Sequence, residues 1–308
     1  SLNISYIPAN VLRTFSQKIT TLTSLTCCKI NSSDLFLIAE CFPLLKELDL
    51  GYSLDCENFY GSSYLDDGIE AISLALIKLL KVNLAGFPIN NQSLFHLFNN
   101  CKYLEEVIIF TCHEITSAGL AFAIPERPTL RSLSFSTLKD SDVFPTSQFI
   151  DSLVSLKGLT CLVLNYLNIS DELLYSIARE GLPLTRLELH SCNDYSYAGI
   201  YFLLSKCQRI QHLNLEYANF LNDQHVVQLS WFLSDLVSIN LNYCRELTLS
   251  ALFALVMNCS SLSEIKMESI GSDIVGHSDN LVDFGVYPQL KALYLGDNSW
   301  LTDEIIIM

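Results

Sequence analysis

The sequence predicts a right-handed α/β solenoid, a horseshoe in which short parallel strands line the concave face and helices line the convex face. Three observations predict it: an apolar pattern that keeps its phase along the chain, a change within each unit from a two-residue to a 3.6-residue period, and prolines placed just ahead of the strands. Half of the 308 residues are hydrophobic and 17% are charged, with 12 Gly and 8 Pro, so apolar material suffices for a continuous core. At this length a chain either splits into several domains or stacks units whose core grows along one axis. The fixed phase favours the stack.

The pattern Leu-x-x-(Leu/Ile/Val)-x-apolar, with Ile also allowed first, starts at Leu22, Leu45, Leu79, Leu104, Leu130, Leu159, Leu184, Ile210, Leu236, Leu262 and Leu290. Successive starts lie 23 to 34 residues apart and mostly 25 or 26, which is the leucine-rich-repeat range. Each hit opens with alternation, as in Leu213-Asn214-Leu215 and Ile239-Asn240-Leu241, where every second side chain turns inward. Later in each unit the period becomes helical: Leu94, Leu97, Phe98 and Cys101 in one, Ile200, Leu203, Leu204 and Cys207 in another, Leu252, Leu255, Val256 and Cys259 in a third. Pro43, Pro128, Pro183 and Pro288 stand one or two residues before the next strand, where a helix-breaking ring leaves the ladder intact. Parallel strands are spaced by roughly 4.8 Å and helices are roughly 10 Å wide, so such a stack curves with its strands inside. A strand-to-strand crossover through a helix is right-handed.

One solenoid is expected over 1–308. Leu2-Asn3-Ile4 lies 23 residues before Leu25 in strand phase, so 1–21 reads as an incomplete first repeat. About eleven repeats fill 22–300, and 301–308 is a truncated last one. A Tyr-, Ser-, Asn- and Asp-rich insertion near 54–65 should project from the stack, and the unit starting at Leu262 has a weak helix containing Gly271, Gly276 and Gly285.

Formal net charge is -15, from 33 acidic and 18 basic residues, with no Lys/Arg cluster, so neither nucleic acid nor an anionic membrane is an expected partner. The most apolar stretch, Ile69 to Leu84, is short for a bilayer and contains Lys78 and Lys81. Eleven cysteines stand at 27, 28, 41, 56, 101, 112, 161, 192, 207, 244 and 259 without a C-x-x-C pair, which fits small buried thiols in a reducing cytoplasmic or nuclear setting better than a disulfide framework or a zinc site. Five N-x-S sequons, at Asn3, Asn31, Asn91, Asn168 and Asn258, are set against this as coincidence in a chain rich in Ser and Asn.

Three units read apolar-x-x-Cys after the strand, at Ile109 to Cys112, Leu189 to Cys192 and Leu241 to Cys244. They continue into Ile115-Thr116, Tyr195-Ser196 and Leu247-Thr248, with related signatures at Ile169-Ser170-Asp171, Leu221-Asn222-Asp223 and Leu301-Thr302-Asp303. Helices end at Cys41, Cys101, Cys207 and Cys259. This resembles the cysteine-containing leucine-rich repeat of F-box/leucine-rich-repeat proteins, especially those of plants, over about Leu22 to Met308. The resemblance implies a substrate receptor of an SCF-type ubiquitin ligase, holding a protein substrate on the concave face. It implies the Skp adaptor as a partner only through an F-box, for which there is no room before Leu22. A stand-alone intracellular scaffold or ligand-sensing domain is the alternative. A GTPase-activating repeat protein fits less well, since its strand signature ends in Asn rather than Cys.

No Gly-rich phosphate loop, G-x-S-x-G or H-E-x-x-H occurs, so no catalytic, metal or cofactor site is expected. Cys112-His113-Glu114, and His190 with Cys192, Asp194 and His212, lack the spacing that a nucleophile or a metal requires. The outward strand positions are the candidate partner-binding residues: Tyr166; Arg186, Glu188 and His190; His212, Asn214, Glu216 and Tyr217; Asn240, Asn242 and Tyr243; and Lys266. Stacking sets Tyr217 beside Tyr243 and Asn214 beside Asn240, and Tyr and Arg are common interface anchors.

Overall fold

The computed structural model describes residues 2–4, 9–27, 32–51, 65–136, 145–271 and 287–298. The expected insertion (apart from Leu65), Cys28, Cys56, Gly276, Gly285 and the end of the chain from 301 lie outside the described residues.

The chain forms two compact units, 1–161 and 162–308. The first unit alternates strands and helices in chain order: β1 (Leu2–Ile4), α1 (Ala9–Lys18), β2 (Ser24–Cys27), α2 (Ser32–Cys41), β3 (Glu47–Asp49), α3 (Asp66–Ala75), β4 (Lys81–Asn83), α4 (Asn91–Asn100), β5 (Glu106–Ile109), α5 (Ser117–Ala123), β6 (Ser132–Ser136) and α6 (Ser147–Val154). Its strands pair in parallel with their sequence neighbours, in the register Leu2↔Leu25, Leu25↔Leu48, Leu48↔Val82, Val82↔Val107 and Val107↔Leu133. These inward positions are the ones the repeat phase picks out. The long interval between Leu48 and Val82 keeps the pairing because the insertion falls after the strand rather than within it.

The second unit continues the pattern with β7 (Cys161–Asn165, whose first residue closes the first unit), α7 (Asp171–Arg179), β8 (Arg186–His190), α8 (Tyr197–Lys206), β9 (His212–Asn214), α9 (Asp223–Ser230), β10 (Ser238–Asn240), α10 (Leu249–Asn258), β11 (Glu264–Lys266) and β12 (Ala292–Tyr294). Leu187, Leu213, Ile239, Ile265 and Leu293 form its inward register. In both units the inward strand residues from Leu25 to Ile265 and one stripe of each helix share a core, with Leu94, Leu97, Phe98, Ile200, Leu203, Leu204, Leu252 and Leu255 buried, whereas Leu293 on the last strand is exposed. The other face of the sheet is open, and outward side chains such as Arg186, Glu188 and His190 are half-buried there.

Helix starts follow from local chemistry. Asn90, Thr116, Thr146, Ser196, Asn222 and Thr248 adopt extended backbone, and each accepts backbone N–H groups from the first turn of its helix. A second bond reaches across repeats. The Asp171 carboxylate accepts the Ser196 N–H at 2.8 Å and the Ser196 hydroxyl at 2.6 Å; Asp223 holds Thr248 in the same way at 2.8 and 2.5 Å. Asp66 serves Asn90, and Asn91 serves Thr116, in the first unit. Gly119 and Gly199 lie where these side chains cross, and a Cβ there would collide with Asn91 and Asp171 respectively.

One core position breaks the apolar rule. Tyr195 stands where other repeats have Ile115, Ile169, Leu221 or Leu247. It is buried, meets Phe220 edge-on at 5.0 Å, and its hydroxyl has no hydrogen-bond partner. Burial pushes its pKa up, and the neighbouring Cys192 and Cys244 push the same way, so the phenol stays protonated. A buried polar group left unsatisfied is destabilising. Tyr195→Phe should therefore raise stability by about 1 kcal/mol in urea denaturation; a loss of stability would show that the hydroxyl is satisfied in solution.

Candidate functional site

The open face of the second unit carries its side chains in columns. Strand pairing sets Arg186, His212, Ser238 and Glu264 in one column, and Glu188, Asn214, Asn240 and Lys266 in the next. A further column is built by the turn that leaves each strand. Tyr166, Ser191, Tyr217, Tyr243, Ser269 and Asp297 all have left-handed backbone, with φ between 51° and 65°. This conformation lets the backbone continue the ladder: the N–H groups of Tyr166, Tyr217, Tyr243 and Ser269 donate to His190, Asn242, Glu268 and Gly296 of the following repeat at 3.0, 3.0, 2.9 and 3.1 Å. Left-handed backbone costs a bulky side chain roughly 1–2 kcal/mol, and this chain places tyrosine there three times.

Tyr217 and Tyr243 stack face to face, 4.5 Å between ring centroids and 6° from parallel. Tyr166, 57% exposed, meets His190 edge-on at 5.1 Å. A hydrogen-bond chain joins four strands here. The Tyr166 hydroxyl lies 3.1 Å from His190 Nε2, His190 Nδ1 lies 2.9 Å from Glu216 Oε2, and Asn240 Nδ2 donates to the same oxygen at 3.0 Å. Because a carboxylate only accepts, Nδ1 carries the proton and Nε2 accepts the tyrosine O–H when the ring is neutral. The Tyr166 and His190 rings are thus pinned in place.

Below this column a depression of about 320 Å³ opens between Arg186, Glu188, His212, Asn214, Ser238, Asn240, Glu264 and Lys266. Arg186 pairs with Glu188 at 2.8 Å, and Lys266 pairs with Glu264 at 3.2 Å while lying 5.2 Å from the centre of the Tyr294 ring. His212 Nδ1 is 2.8 Å from Ser238 Oγ, and burial, then the nearby Arg186, lowers the His212 pKa. The neutral imidazole prevails at pH 7.

All twelve candidate residues therefore lie on one face, but they do not serve alike. Asn214 and Asn240 use their side-chain oxygens to accept the N–H two residues on, at 2.9 and 3.0 Å, as Asp49 and Asn83 do in the first unit. Asn242 is 8% exposed; it accepts the Glu268 N–H and donates to Glu268 Oε2. These three asparagines hold the strand ends in register, and they offer a ligand less than their outward position suggests. The surface left for contact is Tyr166, Arg186, Glu188, His190, His212, Glu216, Tyr217, Tyr243 and Lys266, joined by Glu264, Glu268, Tyr294 and Asp297. Sequence alternation signals Glu264 and Glu268, and the strand preceded by Pro288 signals Tyr294. Asp297 is found only through its backbone, although the recurrence of Gly86 at the equivalent position is a cue.

The suspected reactive clusters resolve differently. Cys112, Cys192 and Cys244 turn inward and donate to carbonyls of the preceding repeat, Leu84, Leu164 and Leu215, at 3.0, 3.2 and 3.3 Å. Cys101, Cys207 and Cys259 cap helices α4, α8 and α10 and likewise lie on earlier carbonyls, at 3.8, 3.6 and 3.9 Å. No disulfide joins the nine described cysteines. His190 is separated from the Cys192 thiol by its own pairing with Glu216, and among the described residues no three His, Cys, Asp or Glu side chains group as metal ligands. Among the described residues no helix is long and apolar enough to cross a membrane.

No protein-family model matches the chain, and no curated protein matches it by sequence. Solved structures do resemble it. A chain of the yeast Rad7–Elc1 complex is 21% identical, with a TM-score of 0.58 over 85% of this chain and 77% of that one. An internalin from Listeria monocytogenes is 15% identical, with a TM-score of 0.50 over 89% of this chain and 72% of the other. At these identities the likeness is one of fold: the chain has the α/β leucine-rich-repeat architecture.

Burial drives the thiol pKa of Cys101, Cys112, Cys192, Cys244 and Cys259 up to about 12, and that of Cys207 to about 11. These six thiols should resist an aromatic disulfide reagent at pH 8 in the native protein and react fully once it is unfolded in guanidinium. Rapid native modification, mapped to these positions by mass spectrometry, would contradict the register.

Proposed function

We propose that this chain is a protein-binding domain that presents the open face of its second unit to a protein partner, and that it is the substrate-recognition part of an F-box protein in an SCF-type ubiquitin ligase. The observation that carries the binding reading is the column of tyrosines on the open face, held in left-handed turns, with Tyr166 pinned by the chain to Asn240 and Tyr217 stacked on Tyr243. Side chains fixed before contact lose little entropy on binding, and Tyr and Arg are enriched among the few residues that dominate binding energy at protein interfaces. The ligase reading rests on the Cys-bearing repeat signature and its resemblance to plant F-box/leucine-rich-repeat proteins. One of the structurally similar chains comes from a two-protein complex, Rad7 with Elc1, which suits a partner-binding role. On this reading the domain is not itself catalytic, needs no metal or cofactor, and works in the cytoplasm or nucleus, where buried thiols stay reduced. The Skp adaptor would be reached only through an F-box. The alternative, an intracellular scaffold or a ligand-sensing domain, shares the same face and differs in what accompanies it.

The test is affinity capture from cell extract with quantitative mass spectrometry, comparing the natural chain with the variant carrying Arg186→Ala, His212→Ala, Tyr217→Ala and Tyr243→Ala. Truncating interface anchors costs roughly 2 kcal/mol or more each, so specific partners should fall by well over tenfold while circular dichroism stays unchanged. Undiminished capture by the folded variant would place recognition elsewhere, with the segment near 54–65 the next to test. Co-capture of ubiquitin-ligase subunits separates the ligase reading from the scaffold.

A further inference from the structure

The column of left-handed residues leaves a ring face open beside two carboxylates. Tyr217 and Tyr243 cover one face of each other, so each keeps one outer face. Beyond Tyr243 the column continues with Ser269, too short to cover a ring, and then with the exposed Asp297. Glu268, which accepts the Tyr243 N–H through its backbone carbonyl, borders the same gap. Asp297, Glu216 and Glu268 lie close enough to Tyr243 to raise its phenol pKa, after the larger effect of Tyr217 and some desolvation.

The lysine and arginine of this face are already engaged, Arg186 with Glu188 and Lys266 with Glu264, and His190 is hydrogen-bonded to Glu216. Among the described residues neither Glu268 nor Asp297 has an ion-pair partner, and the Glu268 carboxylate accepts one hydrogen bond, from Asn242 Nδ2, while the Glu268 N–H donates to Asn242 Oδ1. Arg245, on the turn after Tyr243, is exposed and pairs with neither. The gap is therefore aromatic on one side, anionic on the other, and among the described residues lacks a cation. One repeat away the fold already places a cation on such a ring, with Lys266 Nζ over Tyr294.

We propose that the outer face of Tyr243, above Ser269 and between Glu268 and Asp297, receives an arginine side chain of the partner. This deepens, and rests on, the reading of the open face as a protein-binding surface. A planar guanidinium can lie on the ring while its fork of donors meets both carboxylates, which a compact ammonium does not do. The chain's net charge of -15 favours a basic segment in the same sense.

The test uses peptides selected on the intact chain from a random phage-displayed library, then made synthetically for fluorescence polarisation. Selected peptides should carry an essential arginine. Replacing it by citrulline, which keeps the shape and loses the charge, should weaken binding roughly tenfold, and lysine should only partly restore it. Tyr243→Asn, which suits the left-handed turn, and Glu268→Gln, which keeps an acceptor, should each cause a comparable loss, and affinity should fall as salt rises. Binding that needs Arg186 and Tyr217 but ignores the peptide arginine, Tyr243 and Glu268 would overturn this site while leaving the open face as the binding surface. Selected peptides indifferent to every one of these residues would overturn both.

Discussion

Among the described residues, strand exits and helix starts are repeatedly tied to the neighbouring repeat. Asp171 holds the capping residue Ser196 of the next helix, Asp223 holds Thr248, and Asp66 and Asn91 hold Asn90 and Thr116 in the first unit. The post-strand thiols donate backwards, from Cys112, Cys192 and Cys244 to the preceding repeat, and the left-handed turns donate forwards, from Tyr217 to Asn242 and from Tyr243 to Glu268. Strand exit, helix start and helix end are thus each tied to a neighbour about one repeat away. Stability in such a stack lies at the interfaces between repeats more than within them.

This interlocking explains residue choices that propensity alone does not. Glycine at 119 and 199 weakens a helix in its first turn, yet only glycine lets Asn91 and Asp171 reach across. Where α9 follows, the preceding repeat offers Tyr197 rather than an acid, and the joint is made instead by Tyr197 stacked on His225 at 3.9 Å between ring centres. Cysteine suits its sites because it is small, apolar and a weak donor that the nearby carbonyls can use. The same interlocking fixes the open face, since a column of tyrosines keeps its spacing only while every strand keeps its register.

Much of this architecture is legible in the sequence because its signals are local and periodic. The inward Leu, Ile and Val of each strand, the helix stripes and the buried cysteines all recur at fixed phase, and the column that sets Tyr217 beside Tyr243 follows from strand pairing. What periodicity cannot reveal is the bonding between side chains one repeat apart. Asn214, Asn240 and Asn242 look like binding residues because they point outward, but their side chains close bonds within the sheet or between its strands. The role of Asp171 looks like ordinary helix-end charge until its reach to Ser196 is seen, and the bond from His190 to Glu216 depends on rotamers that no residue pattern encodes. Tyr195 shows the converse, an apolar position filled by a residue whose hydroxyl finds no partner.

The central claim, that successive repeats are coupled through their capping groups, is tested most directly by a double-mutant cycle on Asp171→Ala and Ser196→Ala in urea denaturation. Each single change should destabilise by roughly 1–2 kcal/mol, and the double variant by distinctly less than their sum, with a coupling of about 1 kcal/mol. Strict additivity of the two changes would contradict the account, because it would mean that the acid of one repeat and the cap of the next contribute independently.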